Sequence, residues 1–130
     1  MWNGVGASHG LRVVLAPDLS AAAIARQVVE DACRAWRLDH VQAAAQLVIT
    51  ELVSNVVRHA GTEMEISLTA SPGALRLAVR DGHPAPPQHH ATGGTLAESG
   101  RGLVVIQALA SEWGMTPTAD GKVVWAVLSS

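Results

Sequence analysis

The chain predicts an α+β fold, a two-layer sandwich with helices on one face of a mixed, mainly antiparallel sheet. Three observations carry that expectation. Residues 64–68 and 75–80 alternate apolar and polar side chains on either side of a Ser71-Pro72-Gly73 turn, the pattern of an antiparallel hairpin with one wet face. The two segments before it, residues 20–37 and 40–60, carry apolar residues at helical spacing. After it comes a stretch rich in proline and glycine, residues 82–100, and then a further helix and two strands. The resulting order is β-α-α-β-β-loop-α-β-β.

The elements follow in turn. Residues 11–15 (Leu-Arg-Val-Val-Leu) read as a short strand closed by Ala16-Pro17. Asp18 or Ser20 can cap a helix to about Arg37, with Ile24, Val28, Ala32 and Trp36 on its buried face. Cys33 lies beside that stripe and reads as a small core thiol, since no His or Asp motif accompanies it. Asp39 can cap a second helix, from about His40 to Ala60 and ended by Gly61. Its apolar residues go most of the way round, which predicts burial. The hairpin has Met64, Ile66 and Leu68 on one strand and Leu75, Leu77 and Val79 on the other, ending at Asp81-Gly82. Pro84, Pro86, Pro87 and glycines 82, 93, 94 and 100 mark a long mobile loop. A helix from Gly102 to about Ser111, a strand at 113–116, a turn at Asp120-Gly121 and a strand at 123–128 complete the chain.

Composition narrows the function classes. At 130 residues and 48% hydrophobic content, one compact domain with its own core is expected. A net charge of -2 gives no basic footprint, which argues against nucleic acid or anionic membrane as a partner. Lys122 is the only lysine and Cys33 the only cysteine; the latter excludes an internal disulfide and suits a reducing cytoplasm. No apolar run is long enough to span a bilayer, and residues 1–10 lack the pattern of a signal peptide. A soluble, cytoplasmic domain is expected.

The segment Glu51-Leu-Val-Ser-Asn55-Val-Val-Arg-His59 stands out. It puts a carboxylate, an amide and an imidazole at i, i+4 and i+8 of an otherwise apolar helix, on one face. Buried helices rarely spend three turns of one face on unpaired polar groups. Two further features follow, Asp81 at a strand end and Gly100-Arg101-Gly102 opening a helix. Each has a plainer account: Glu51 with Arg58 as a solvated face, His59 as a core or capping histidine, Asp81-Gly82 as a turn, and Gly-Arg-Gly as a hinge. His83, His89 and His90 lack an acidic or cysteine partner at ligand spacing, so they do not define a metal site.

Taken in order and spacing, these motifs resemble the GHKL (Bergerat-fold, histidine kinase-like) ATPases, and within them the anti-sigma-factor serine/threonine-protein kinase-like regulators. Residues 51–59 look like that family's N box, Val79-Arg80-Asp81 with the proline-rich loop like its first glycine-box region, and Glu98-Ser-Gly-Arg-Gly-Leu-Val-Val-Ile106 like its second. Ala110-Ser-Glu-Trp-Gly114 and Gly121-Lys-Val-Val-Trp125 are similar to its tail. The resemblance covers residues 11–128, with residues 1–10 as a short N-terminal extension.

It implies ATP and Mg²⁺ as cofactors, with Asn55 holding the metal, Glu51 as general base on the attacking hydroxyl, and Asp81 accepting from the adenine amino group. Backbone N–H groups of Gly100-Arg101-Gly102, with the Arg101 charge, would meet phosphate oxygens, and His59 belongs to the same cofactor-binding set. The loop at 82–100 would close over the nucleotide. The implied activity is phosphorylation of a serine on a STAS-domain anti-anti-sigma antagonist, with sequestration of a sigma factor in the other state, in a homodimer. His83 stands where the kinases commonly have the second residue of an Asp-x-Gly motif, and Val123 where many have a threonine supporting an adenine-bound water. These departures keep a second reading open, a partner-binding switch that does no chemistry. A detached histidine-kinase catalytic domain is a third, and would need a separate dimerisation helix bearing the phospho-accepting histidine.

Overall fold

The structure, a computed structural model, describes residues 9–82 and 104–129. Five strands form one sheet: β1 (His9–Leu15), β2 (Met64–Ser71), β3 (Ala74–Asp81), β4 (Glu112–Pro117) and β5 (Lys122–Ser129). Their order is β1-β2-β3-β5-β4. All four pairings are antiparallel, so the expected mixed sheet contains no parallel pair among the described residues. Helices α1 (Ala21–Ala35) and α2 (Asp39–Asn55) pack on one face, and residues 104–109 form a short helix, α3, whose Ile106 is buried with them.

Alternation in β2 and β3 sets the two layers. Met64, Ile66 and Leu68 with Leu75, Leu77 and Val79 face the helices and are buried, while Thr69, Arg76 and Arg80 face outward and are exposed. On that outer face the Arg76 guanidinium lies over the Trp125 ring, 5.3 Å from its centroid. Gly114 is the cross-strand partner of Trp125, and a Cβ there would come within 2.7 Å of the indole Cζ2. The missing side chain is what lets the ring lie flat on β4.

The buried face of α1 differs from the expected one. Ala21, Ala25, Val29, Ala32 and Cys33 are its buried residues, whereas Ile24 is 43% exposed. Of the expected stripe Ala32 is buried and Val28 and Trp36 pack partly buried against the core, and small side chains at Ala21 and Ala25 centre the face beside Ile24 and let α1 and α2 approach closely. Polar bonds seal the same seam: Gln46 Nε2 donates to the Arg26 carbonyl (3.0 Å) and Arg26 Nη1 to Thr50 Oγ1 (3.3 Å). Asp18 caps no helical N–H; its Oδ1 accepts from the Ser20 backbone N–H and hydroxyl in a turn before α1. At the other end the Leu38 N–H bonds the Cys33 carbonyl with Arg37 left-handed at φ 58°, a reversal usually given to glycine. Leu38 is the N-cap of α2, so Asp39 is its first helical residue rather than its cap. As expected α2 is largely buried, through Val41, Ala45, Val48, Ile49, Leu52 and Val53, while Leu47, one of its apolar residues, is 57% exposed.

The second helix does not run evenly to Gly61. After Asn55 it widens into a π-helical turn, Val56–Ala60, closed by a Gly61 N–H bond to the Val56 carbonyl with Gly61 at φ 65°. Among the described residues no helix is long and apolar enough to cross a membrane.

Candidate functional site

Asp81 is the one buried charged or polar side chain among the described residues, 4% exposed at the end of β3. A carboxylate so placed needs compensation. Lys122 supplies it. The two residues are cross-strand partners at the mouth of the β3–β5 pair, and Lys122 Nζ sits 2.8 Å from Asp81 Oδ2.

The backbone around Asp81 is held by neighbours that the sequence did not single out. The Gly82 N–H donates to Thr62 Oγ1 (3.0 Å), tying the strand end to the segment that follows α2. Gly121 lies directly against the Asp81 carbonyl, and any Cβ at that position would overlap the oxygen. The turn leading to it is closed by a bond from the Thr118 N–H to the Gly121 carbonyl (2.9 Å). Val123, which stands where many kinases have a threonine, is the register partner of Arg80, so it alternates to the face opposite Asp81. Lys122 is the β5 residue beside the carboxylate.

Glu51 and Asn55 lie one turn apart on α2, both half-buried. Arg58 Nη2 donates to Asn55 Oδ1 at 3.0 Å, so the amide oxygen already carries a positive neighbour. A π-helical turn takes more residues per revolution, so His59 is carried off the line of the Glu51/Asn55 face, and it is exposed. Asn55 and Asp81 share one end of the molecule, since the chain from α2 reaches β2 at Met64, the cross-strand partner of Asp81. Gly100, Arg101 and Gly102, like His83, His89 and His90, lie outside the described residues.

Two other features are separate from this end. Burial, aided by the nearby Asp39 charge, pushes the Cys33 thiol up to about 11, which leaves it protonated and unreactive at neutral pH. A cleft of about 300 Å³ opens at the β2–β3 turn, the far end of the sheet, between the stacked His9 and Trp36 rings, Arg37 and Gly73. Among the described residues no group of three or more His, Cys, Asp or Glu side chains could hold a metal ion.

A buried acid thus stands at one end of the sheet, the end to which the helix bearing Glu51 and Asn55 leads. The model of the histidine kinase-like ATPase domain matches residues 15–128. The chain belongs to that family. This ATPase domain is 36% identical over 80 residues to an uncharacterised protein of Streptomyces coelicolor, covering 58% of the chain and 76% of the relative. In fold it is similar to the RsbU and RsbW domains of Rv1364c from Mycobacterium tuberculosis, with a TM-score of 0.70 and 21% identity over 93% of the chain. It is also similar to the histidine kinase domain of the Erythrobacter litoralis EL346 blue-light activated histidine kinase, with a TM-score of 0.52 and 19% identity over 68% of the chain. The domain spans 32% of the first of those chains and 44% of the second.

What the sequence did not disclose are Lys122, Thr62, Gly121 and the Arg58–Asn55 bond, each of which shapes one of the two polar centres. The single lysine was visible as a composition fact, but its partner lies 41 residues away.

Proposed function

We propose that this ATPase domain binds Mg-ATP and acts as an anti-sigma-factor-type regulator, a protein kinase that phosphorylates a serine of a STAS-domain anti-anti-sigma antagonist. The observation that carries the reading is the buried Asp81 carboxylate, a fixed acceptor at the end of a sheet in a family of ATPases. An acceptor fixed there suits the exocyclic amino group of adenine and disfavours a base presenting an oxygen at that point. The fold likeness to a chain with RsbU and RsbW domains supports a search for the partner in a partner-switching system.

The remaining roles follow from residue chemistry. Mg²⁺ prefers oxygen ligands and is commonly held by few protein groups together with substrate phosphates. Asn55 Oδ1 would serve as such a ligand through the lone pair beside the bond it accepts from Arg58. The metal would neutralise phosphate charge when bound. Glu51, one turn before Asn55, would take the proton of the incoming serine hydroxyl. Gly100, Arg101 and Gly102 would meet the phosphates and His59 would border the same site. A homodimer in the cytoplasm, with a sigma factor as its other partner, completes the proposal.

A second reading is a switch that holds its partner without chemistry. It is favoured by one observation, that Asn55 and Asp81 are both engaged by cations of this chain, Arg58 and Lys122. Calorimetric titration with ATP and Mg²⁺, run beside Asn55→Ala, tests the site; affinity should fall in the variant, and equal affinity would remove Asn55 from it. Transfer to a STAS partner should then be lost in Glu51→Ala while ATP binding persists. Retained transfer would sink the general-base role, and no transfer by the wild-type protein to any STAS partner would favour the switch.

A further inference from the structure

We infer that Lys122 reads the base together with Asp81, as a specificity-determining residue for the nucleotide. The inference rests on the proposed ATP site and adds to it a second contact, from a side chain on β5.

The argument begins with position. Lys122 is the only lysine of the chain. It opens β5 as the cross-strand partner of Asp81, so both side chains leave the sheet on the same side and at the same end. Its ammonium is 2.8 Å from Asp81 Oδ2, and its side chain keeps only 19% exposure against 2% for the aspartate. A lysine seeking only a surface counter-charge would extend its four carbons into solvent; this one is drawn in over the strand end. Gly121 makes that possible, since its lack of a Cβ lets the chain entering β5 press against the Asp81 backbone.

The pair presents an acceptor and a donor side by side. An ammonium has three N–H donors, and the bond to Asp81 occupies one of them. The Watson–Crick edge of adenine is the complement: its amino group donates and the neighbouring ring nitrogen N1 accepts. Asp81 accepts a hydrogen bond from the amino N–H, and Lys122 donates to N1. Val123 cannot contribute, because it alternates to the other face opposite Arg80. The lysine therefore supplies directly a donor that no other described β5 residue offers beside Asp81.

The inference separates from simple charge balance through one atom. If Lys122 only neutralises Asp81, replacing N1 of the base by C–H leaves affinity unchanged. If it reads N1, the wild-type protein binds ATP about 10- to 100-fold more tightly than 1-deaza-ATP, the range expected for a hydrogen bond from a charged donor. The experiment is calorimetric titration of both nucleotides, with Mg²⁺, into wild type, Lys122→Met and Lys122→Arg, with circular dichroism to verify folding. The expected result is discrimination in the wild type that vanishes in Lys122→Met. Equal binding of the two nucleotides by the wild type overturns the inference, and so does undiminished discrimination in Lys122→Met. Should Lys122→Met fail to fold once Asp81 loses its lysine, Lys122→Arg keeps the charge but not the reach of a single ammonium, and it must lose most of the discrimination. Wild-type protein that binds neither nucleotide overturns the ATP site itself. Tight ATP binding without discrimination leaves that site standing and removes Lys122 alone.

Discussion

Replacing Gly121 by alanine would set a methyl carbon against the Asp81 carbonyl oxygen, 2.8 Å from the carbonyl carbon and 2.9 Å from Gly82 Cα. All three neighbours are backbone, so no side-chain rotation relieves the overlap. Either the start of β5 lifts or the end of β3 moves, and Lys122 and Asp81 part in both cases. Overpacking of this kind costs about 1–3 kcal/mol. With an unfolding entropy of about 2.1 cal/mol/K per residue, each kcal/mol lowers Tm by ~4 °C for a chain of 130 residues, so a fall of about 4–11 °C is expected. Gly73→Ala is the control. Gly73 sits at φ 73° with nothing within 4 Å of a built Cβ, so alanine there meets backbone strain and no clash. That strain costs about 1–2 kcal/mol. Both variants therefore melt earlier by comparable amounts, but only Gly121→Ala disturbs Asp81. Thermal melts followed by circular dichroism, paired with ATP titration, separate the two. Nucleotide affinity should fall about tenfold or more in Gly121→Ala and stay within twofold in Gly73→Ala. An unchanged Tm and affinity in Gly121→Ala, or an equal loss of affinity in Gly73→Ala, would refute the account of how Asp81 is held.

Two further outcomes are expected. Gly114→Ala should push the Trp125 indole off β4 and weaken its contact with Arg76, changing tryptophan emission at a cost of about 1 kcal/mol, with ATP affinity intact; unaltered emission would contradict the packing. The folded Cys33 thiol holds its proton more tightly than the ordinary value of 9.0, up to about 11, so its stabilising contribution is complete below pH 9 and lost as pH rises from 9 to about 11. Denaturant midpoints across that window should fall less steeply in Cys33→Ala than in the wild type, and parallel slopes would show that the thiol does not participate.

Much of the fold was legible because its signals are local. Met64, Ile66 and Leu68 alternate with polar neighbours, and that pattern alone fixes which face of β2 meets the helices. Gly61 ends the second helix and Pro72-Gly73 turns the hairpin, as their backbone preferences require. Helix α1 was harder. Its periodicity in large residues pointed to Ile24, but close contact with α2 selects the alanines one position along. The π-helical turn was illegible, since a shift from i→i+4 to i→i+5 bonding leaves no mark on apolar spacing. At the candidate site, the sequence pattern singled out Glu51, Asn55 and Asp81. Lys122 and Thr62 did not, because what each touches is decided by strand register and chain reversal rather than by sequence neighbours.

The strand order carries a consequence for how the molecule comes into being. β1 finds its partner in β2 only after both helices have been made, and β3 waits for β5 across the whole 82–121 stretch. Such distant pairings are slow to close. During synthesis the nascent chain can assemble its helices and the β2–β3 hairpin early, yet Asp81 gains its lysine only when β5 docks. Seating the last strand and pairing the buried carboxylate are then a single event. A partly synthesised domain would hold α2, with Glu51 and Asn55, before Asp81 has met Lys122, so under the proposed function nucleotide binding would wait for the last strand.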